Sequence, residues 1–441
     1  VKEIKTLRSF RTRLKALTTS YKSDLHNGIP KPVGYPFLVF LLFTFIFCTA
    51  NLFAQQPVKP FPQHVKYYPR TIKPNLVSQQ QMDRSVSAFY MQWKARYIKP
   101  ACIKGQDYVW FETPGNKQCV SEGQGYGMVI AALMAGFDAS AQATYDGLYR
   151  YCKAHPSKRD THLMAWAQNK NCKNLDGSTA TDGDMDIAYS LLLANKQWGS
   201  KGAINYLQEG LDMLGAIMAQ EINPKTFCVL LSNAVEHDSA DYFDTRSSDF
   251  MPAHFRAFAK ASGDARWDKV MDNTYRLFER LQTKYSPDAG LIPDFILHVN
   301  KYPIPAKAHY LESAYDGYYN YNACRVPWRI ATDHILYGDK RAKAIAGKLN
   351  NWIRQTTNGD PRNISAGYTL AGNDMKGRYF EAMSFIAPFA VSAMVDGENQ
   401  TWLNKIWAYI NNFKLVDFDY YDNSIKMIDM IILSGNYWPA N

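Results

Sequence analysis

Several common catalytic signatures are missing from this chain. It has no HExxH, GxSxG or GxxxxGK[ST] segment, so zinc-peptidase, α/β-hydrolase and P-loop chemistries have no anchor. Histidine is scarce, nine in 441 residues, and shows no ligand spacing; His162 and His254 read as packing or hydrogen-bonding residues. None of the seven cysteines forms a CxxC pair, which argues against a zinc or thioredoxin-type site. No convincing strand alternation appears. One long apolar run occurs, residues 37–50 (FLVFLLFTFIFCTA), shorter than the ~20 residues that a membrane-spanning helix needs.

That run follows a basic stretch and ends in small residues, as a signal-peptide core does. Cleavage is expected after Ala50 or Ala54, with an uncleaved anchor as the alternative, so the remainder is expected to be secreted or periplasmic. Net charge is +10, but residues 1–54 hold eight Lys/Arg and two acids, leaving 42 basic and 38 acidic residues beyond them. The excess belongs mainly to the tail, which weakens a nucleic-acid reading. Residues 55–75, with five prolines, read as a linker, and residues 76–441 as the folded domain. Outside the apolar run six cysteines remain; Cys102/Cys119 and Cys152/Cys172 are the expected bridges, with buried free thiols as the alternative.

What the sequence does have is helical periodicity and aromatic side chains. Apolar spacing predicts helices over 82–97, 127–137, 141–152, 184–198, 203–218, 252–261, 267–281, 326–336, 341–353, 379–395 and 402–413. Gly136, Gly199, Gly263, Gly338 and Gly397 punctuate them. This is an all-α pattern, and antiparallel hairpins closed into a ring would put their connecting loops at the rim of a cleft. The long connections 105–122 and 222–247 are where function tends to sit. Aromatic residues make up 14% of the chain; a surplus at a cleft would suit stacking on the apolar face of a sugar.

Three segments concentrate chemistry. In Ser121-Glu122-Gly123-Gln124-Gly125-Tyr126-Gly127-Met128 a Glu stands among glycines; GxGxxG fails because Met128 occupies the third glycine position. Helix capping is the competing role for Glu122. In Thr181-Asp182-Gly183-Asp184-Met185-Asp186 three acids precede an apolar helix, and capping accounts for one or two of them, leaving Asp182 over. Between Tyr310 and Arg329 acids, tyrosines and arginines crowd together with few aliphatics, which a sugar-lined cleft explains better than a free loop.

These segments resemble a known family. The stretch Ala180-Thr181-Asp182-Gly183-Asp184 through Ile187-Ala188-Tyr189-Ser190-Leu191-Leu192 to Ala194 and Trp198 is similar to the signature of glycoside hydrolase family 8. The segment around Glu122 resembles the family's general-acid block, and Asn322-Ala323-Cys324-Arg325-Val326-Pro327-Trp328-Arg329 resembles a third block. The resemblance implies an (α/α)6 barrel with an open cleft, inversion at the anomeric carbon, and neither cofactor nor metal. It implies Glu122 as general acid, Asp182 as the aspartate holding the sugar where the bond breaks, and Arg325 as a cleft arginine. Tyr126, Trp166, Asp184 and Tyr368 are the further substrate-binding candidates.

One departure matters. Where many members have an Asp base three residues before the matched arginine, this chain has Asn322, which cannot take a proton. A branch containing chitosanases and β-1,3-1,4-glucanases carries its base on an inserted loop in a Leu-Glu-Ser context followed by Tyr-Asp-Gly. Leu311-Glu312-Ser313 and Tyr315-Asp316-Gly317 match it, making Glu312 the candidate base. The expected partner is a polysaccharide and the expected state a monomer, acting on internal β-1,4 bonds of a glucan. Chitosan is the alternative, because Glu236, Asp238, Asp241, Asp244 and Asp249 face a single Arg246 in 236–249 and would favour a cationic polymer. A non-catalytic sugar-binding protein on the same scaffold is the reading from another class, with Asn322 as its sign.

Overall fold

A computed structural model describes residues 56–112, 115–375 and 377–440, which fall within one compact unit, Phe53–Asn441. Residues 1–54, expected to be a targeting segment, lie with their apolar run outside the described residues. Among those described, no helix is long and apolar enough to cross a membrane.

Among the described residues, twelve α-helices alternate between two rings. The inner ring is α2 (Ser121–Leu133), α4 (Thr181–Trp198), α6 (Pro252–Ser262), α8 (Val326–Tyr337), α10 (Met383–Ala393) and α12 (Tyr420–Leu433). Each packs on the next, and α12 closes the circle on α2. The outer ring is α1 (Gln79–Tyr97), α3 (Ala141–Ala154), α5 (Tyr206–Gln220), α7 (Arg266–Tyr285), α9 (Lys340–Thr356) and α11 (Gln400–Asn412), each backing one inner helix. The fold is an (α/α)6 barrel. Burial explains the sorting: every residue of α10 is buried, whereas α7 and α9 bury one stripe and expose charge on the other.

All-round burial also explains where periodicity misleads. The spacing does not predict α12 at all, because it buries Asp422, Asn423, Ser424, Lys426 and Asp429 along with its apolar residues, so polarity does not mark its exposed side. The helix expected from 127 begins at Ser121, and that expected from 184 begins at Thr181, so Glu122 and Asp182 stand in first helical turns rather than in loops. Gly125 and Gly183 let these two helices meet. A Cβ at Gly125 would lie 2.7 Å from the Asp186 Cβ, and one at Gly183 would lie 2.6 Å from the Ser121 carbonyl carbon. Glycine is therefore what lets Glu122 and Asp182 approach each other.

Among the described residues, seven short strands, unsigned in the sequence, build the rim. Strands β1 (Ile98–Pro100) and β2 (Asp107–Val109) pair antiparallel, as do β3 (Lys117–Val120) and β4 (Ala167–Asn169). A third sheet runs β5 (Thr245–Arg246), β6 (Phe295–Leu297), β7 (Ile304–Pro305), with Arg246 opposite Phe295.

Two expectations need correction. The expected 55–75 linker is, over its described residues 56–75, a packed strap: N–H groups of Val58, Phe61, Val65, Tyr68 and Ile72 donate to carbonyls of Gln197, Ala135, Gly435, Ile335 and Met394. Those acceptors lie at the C-terminal ends of α4, α2, α12, α8 and α10, where carbonyls lack helical partners. The disulfide is Cys102–Cys172, with Cα atoms 6.1 Å apart, and Cys119 and Cys152 are buried free thiols. Nearness in sequence misled here: β3 turns Cys119 into the core against Gln124, while the turn after β4 brings Cys172 to Cys102.

Candidate active site

Charge gathers at the end of the barrel opposite the strap. The first turns of α2 and α4, the 3-10 turn Ala323–Arg325 before α8 and the start of α12 converge there, with the β7–α8 loop closing one side. A cavity of about 410 Å³ opens among them, lined by Glu122, Asp182, Arg246, Glu312, Asn322 and Arg325, with Phe111, Lys117, Trp166, Tyr321, Tyr420 and Tyr421 as its walls.

Arg325 is the hub. Its Nη1 donates to Glu122 Oε2 at 2.6 Å, to Asp182 Oδ2 at 2.9 Å and to the Tyr126 hydroxyl at 3.2 Å, while Nη2 donates to Asn322 Oδ1 at 2.9 Å. Arg246 donates to Asp182 Oδ1 at 3.1 Å and to Asp249 Oδ1 at 3.3 Å. The two carboxylates sharing Arg325 are thereby pushed in opposite directions. Burial raises the Glu122 pKa above its ordinary value, against the pull of Arg325 and with help from Asp182. For Asp182 burial acts the same way, but Arg246 and Arg325 together outweigh it and hold its pKa below the ordinary value. A raised and a lowered carboxyl pKa side by side are a division of labour set by environment. The Tyr420 hydroxyl donates to Glu122 Oε1.

Glu312 stands across the cavity on the β7–α8 loop. Its Oε2 accepts from Asn322 Nδ2 at 2.8 Å, and Arg246 Nη1 lies 3.8 Å from its Oε1. The loop is pinned from behind by buried Asp316, whose carboxylate accepts the N–H groups of Leu311, Glu312 and Ser313 at 2.7, 3.0 and 2.8 Å. Asp316 is thus committed to its own loop and does not face the cavity. Trp166 donates through Nε1 to Asp176 at 2.5 Å, and Lys117 Nζ sits 4.6 Å from its ring centroid and 5.4 Å from that of Phe111. Among the described residues no cluster of three or more His, Cys, Asp or Glu could hold a metal ion.

The family described as Glycosyl hydrolases family 8 matches residues 66–435. The chain belongs to glycoside hydrolase family 8. Among family relatives, a beta-glucanase of Niallia circulans is 46% identical over 89% of this chain and 95% of its own length. An endoglucanase of Bacillus sp. (strain KSM-330) is 42% identical over 86% and 82%. The solved apo structure of a beta-1,3-1,4-glucanase from Paenibacillus sp. X4 superposes with a TM-score of 0.83 at 46% identity, covering 86% of this chain and 99% of that one. A cold-adapted family 8 xylanase, 21% identical, shares the fold with a TM-score of 0.70 over 86% of this chain and 98% of its own.

As a family 8 glycoside hydrolase the chain brings Glu122, Asp182, Arg325, Glu312 and Trp166 together at one cavity. Tyr126 lies beneath it, buried against Arg325, and supports rather than lines it. Two expected substrate-binding residues are placed elsewhere. Tyr368 is buried between Trp352 and Tyr319, its hydroxyl accepting the Ser365 N–H, because the loop strand carrying it pairs with Tyr319 and turns the ring into the core. Asp184 points away from the cavity toward the Met164 N–H and Glu221; burial and Glu221 push its pKa well up, and Glu221 is itself raised to about 7 by burial. His254 is the hydrogen-bonding residue expected, joined to Asp186 at 2.9 Å and stacked on Tyr189, while exposed His162 bonds Asp160. Arg246, Tyr420 and Tyr421 are the residues that sequence reasoning missed. Arg246 looked like one cation in an acidic loop, and the tyrosines open a helix without a readable period.

Proposed function

We propose that the chain is an endo-acting, inverting hydrolase of β-glucan, with Glu122 as general acid and Glu312 as general base. The observation that carries this is one cavity flanked by two carboxyl groups of contrasting environment, one largely enclosed in a helix turn with its pKa raised, the other half-exposed on a loop that water can reach. Glu122 gives its proton to the glycosidic oxygen as the C1–O bond breaks. Glu312 takes a proton from a water molecule as its oxygen bonds C1 from the opposite face. Asp182, charged between Arg246 and Arg325, accepts sugar hydroxyls at the cleavage point, and Trp166 offers a stacking face. Both carboxyls return to their starting states by proton exchange with solvent.

Glucan is favoured by the beta-glucanase, endoglucanase and beta-1,3-1,4-glucanase names of the relatives above 40% identity. The chitosan reading weakens because the acids of 236–249 are largely engaged. Asp244 accepts from Tyr310 and from the His298 N–H, Asp249 pairs with Arg246, and Glu236 pairs with Arg159. Lys117, Arg246 and Arg325 line the cavity as well, which a cationic polymer would not welcome. Export fits both the run at 37–50 and the Cys102–Cys172 bridge, since disulfides persist in oxidising compartments. Reducing-sugar release from mixed-linkage glucan, carboxymethylcellulose, xylan and chitosan tests the substrate, and proton NMR of early product tests the chemistry. Glucan cleavage with α-anomer appearing first is expected; a β-anomer first, or chitosan as the preferred polymer, overturns the corresponding part.

A further inference from the structure

We propose that Asn322 is a positioning residue that ties the general acid to the general base, through a hydrogen-bonded relay Glu122–Arg325–Asn322–Glu312 in which only a neutral amide fits. This rests on the reading of Glu312 as base. The links measure 2.6, 2.9 and 2.8 Å. Arg325 has only donors to offer and a carboxylate only acceptors, so the amide orientation is fixed, Oδ1 toward Arg325 and Nδ2 toward Glu312. No other arrangement of the side chain satisfies both neighbours.

The need for such a link follows from where Glu312 sits. Asp316 fixes the loop's backbone through its N–H groups, but the Glu312 side chain is half-exposed, and its other charged neighbour, Arg246, is 3.8 Å away. Asn322 is buried, so its bonds to both neighbours are made largely out of competition with water. The turn that carries it is anchored in its own right: buried Asp294 accepts the Asn320 and Ala323 N–H groups at 3.0 and 2.7 Å, and its Oδ2 lies 3.5 Å from Asn322 Nδ2. A carboxylate at position 322 would therefore confront Glu312 with like charge, and Asp294 as well above about pH 7, to which burial raises the Asp294 pKa, while facing Arg325 favourably. A proton on that carboxylate would restore a donor toward Glu312 and an acceptor toward Arg325, copying the amide.

The test is kcat and KM against pH for Asn322→Ala, Asn322→Asp and Glu312→Gln on mixed-linkage glucan, with thermal unfolding of each variant to confirm the fold. Asn322→Ala is expected to lower kcat about a hundredfold at all pH values, as a misplaced catalytic group does, with KM changed little. Asn322→Asp is expected to approach native kcat on the acid side and to fall toward the Asn322→Ala level as pH rises and the introduced carboxyl ionises. Native kcat and pH profile in both Asn322 variants overturn the relay. So does a pH-independent loss in Asn322→Asp, which would mean a merely structural residue. Near-native turnover of Glu312→Gln removes the base assignment and the relay with it, whereas an inactive Glu312→Gln beside an unaffected Asn322→Ala removes the relay alone.

Discussion

Glu122 and Glu312 are the same amino acid placed in two regions built on different terms. Glu122 sits in the first turn of a barrel helix, 18% exposed, with Tyr420 on one oxygen and Arg325 on the other. Glu312 is 45% exposed on a loop whose backbone hangs from a single buried carboxylate. The helical side holds its group by packing: α2 cannot move without separating from α4, because glycines put their backbones in contact. The loop side holds its group mainly by hydrogen bonds, with Tyr310 packed on Phe295 at its start. An acid that must keep its proton benefits from burial, and a base that must meet water benefits from exposure, so the two supports suit the two tasks.

The sharpest way to break this contrast is Glu122→Gln. An amide cannot protonate the leaving oxygen, so kcat on unactivated glucan is expected to fall by about 10⁴-fold, and much less on an aryl glycoside whose leaving group needs no proton. Equal losses on both substrates would refute the acid role. In the native enzyme the rate should decline as pH rises through the Glu122 pKa, which burial places above the ordinary value of 4.5, because the acid works only while protonated.

Asp316→Asn probes the loop side. One acceptor oxygen replaces two, so part of the N–H cradle behind Glu312 is lost, and kcat should drop between about ten- and a hundredfold while KM and the unfolding temperature move little. A large fall in unfolding temperature with kcat preserved would place Asp316 in the general fold rather than behind the base. The smallest effect concerns the wall that carries Lys117 and Trp166, where Cys102–Cys172 joins the β1–β2 ribbon to the β3–β4 ribbon. Cys172→Ser opens a bridge between residues 70 apart. In the chain-entropy account this costs about 4 kcal/mol, or about 5 °C in Tm for a domain of this size. Since neither Glu122 nor Glu312 is on those ribbons, kcat at 25 °C should stay near native, and a collapse of kcat would show that the wall positions the acid.

Legibility followed the same divide. Ser121–Met128 and Thr181–Ala188 are contiguous stretches, so each can be read as a motif that points to Glu122 or Asp182 without knowledge of distant contacts. Glu312 was named from a resemblance in its loop, yet its bond to Asn322 and the commitment of Asp316 to the loop backbone depend on folding 311–322 back on itself. Asn322 read as a missing base; in the folded protein it is the amide between Arg325 and Glu312. Asp184 shows the converse error, since a residue inside a motif can turn inward on its helix, and Tyr368, outside every motif, is turned into the core by its pairing with Tyr319.

The all-α character, the spans of most of the helices and the residue types at two of the three site segments are legible along the chain. Those are local properties, set by periodicity and by neighbours within a few positions. Only the tertiary structure decided that Arg246 and Arg325, distant in sequence, clamp Asp182 between them, that α12 brings Tyr420 onto Glu122, and that residues 56–73 lace the closed end of the barrel. It also decided that Cys102 pairs with Cys172 rather than with a nearer cysteine. Each of these is a contact between segments far apart along the chain, fixed when the six inner helices close into a ring, and no local pattern encodes where that closure places a side chain.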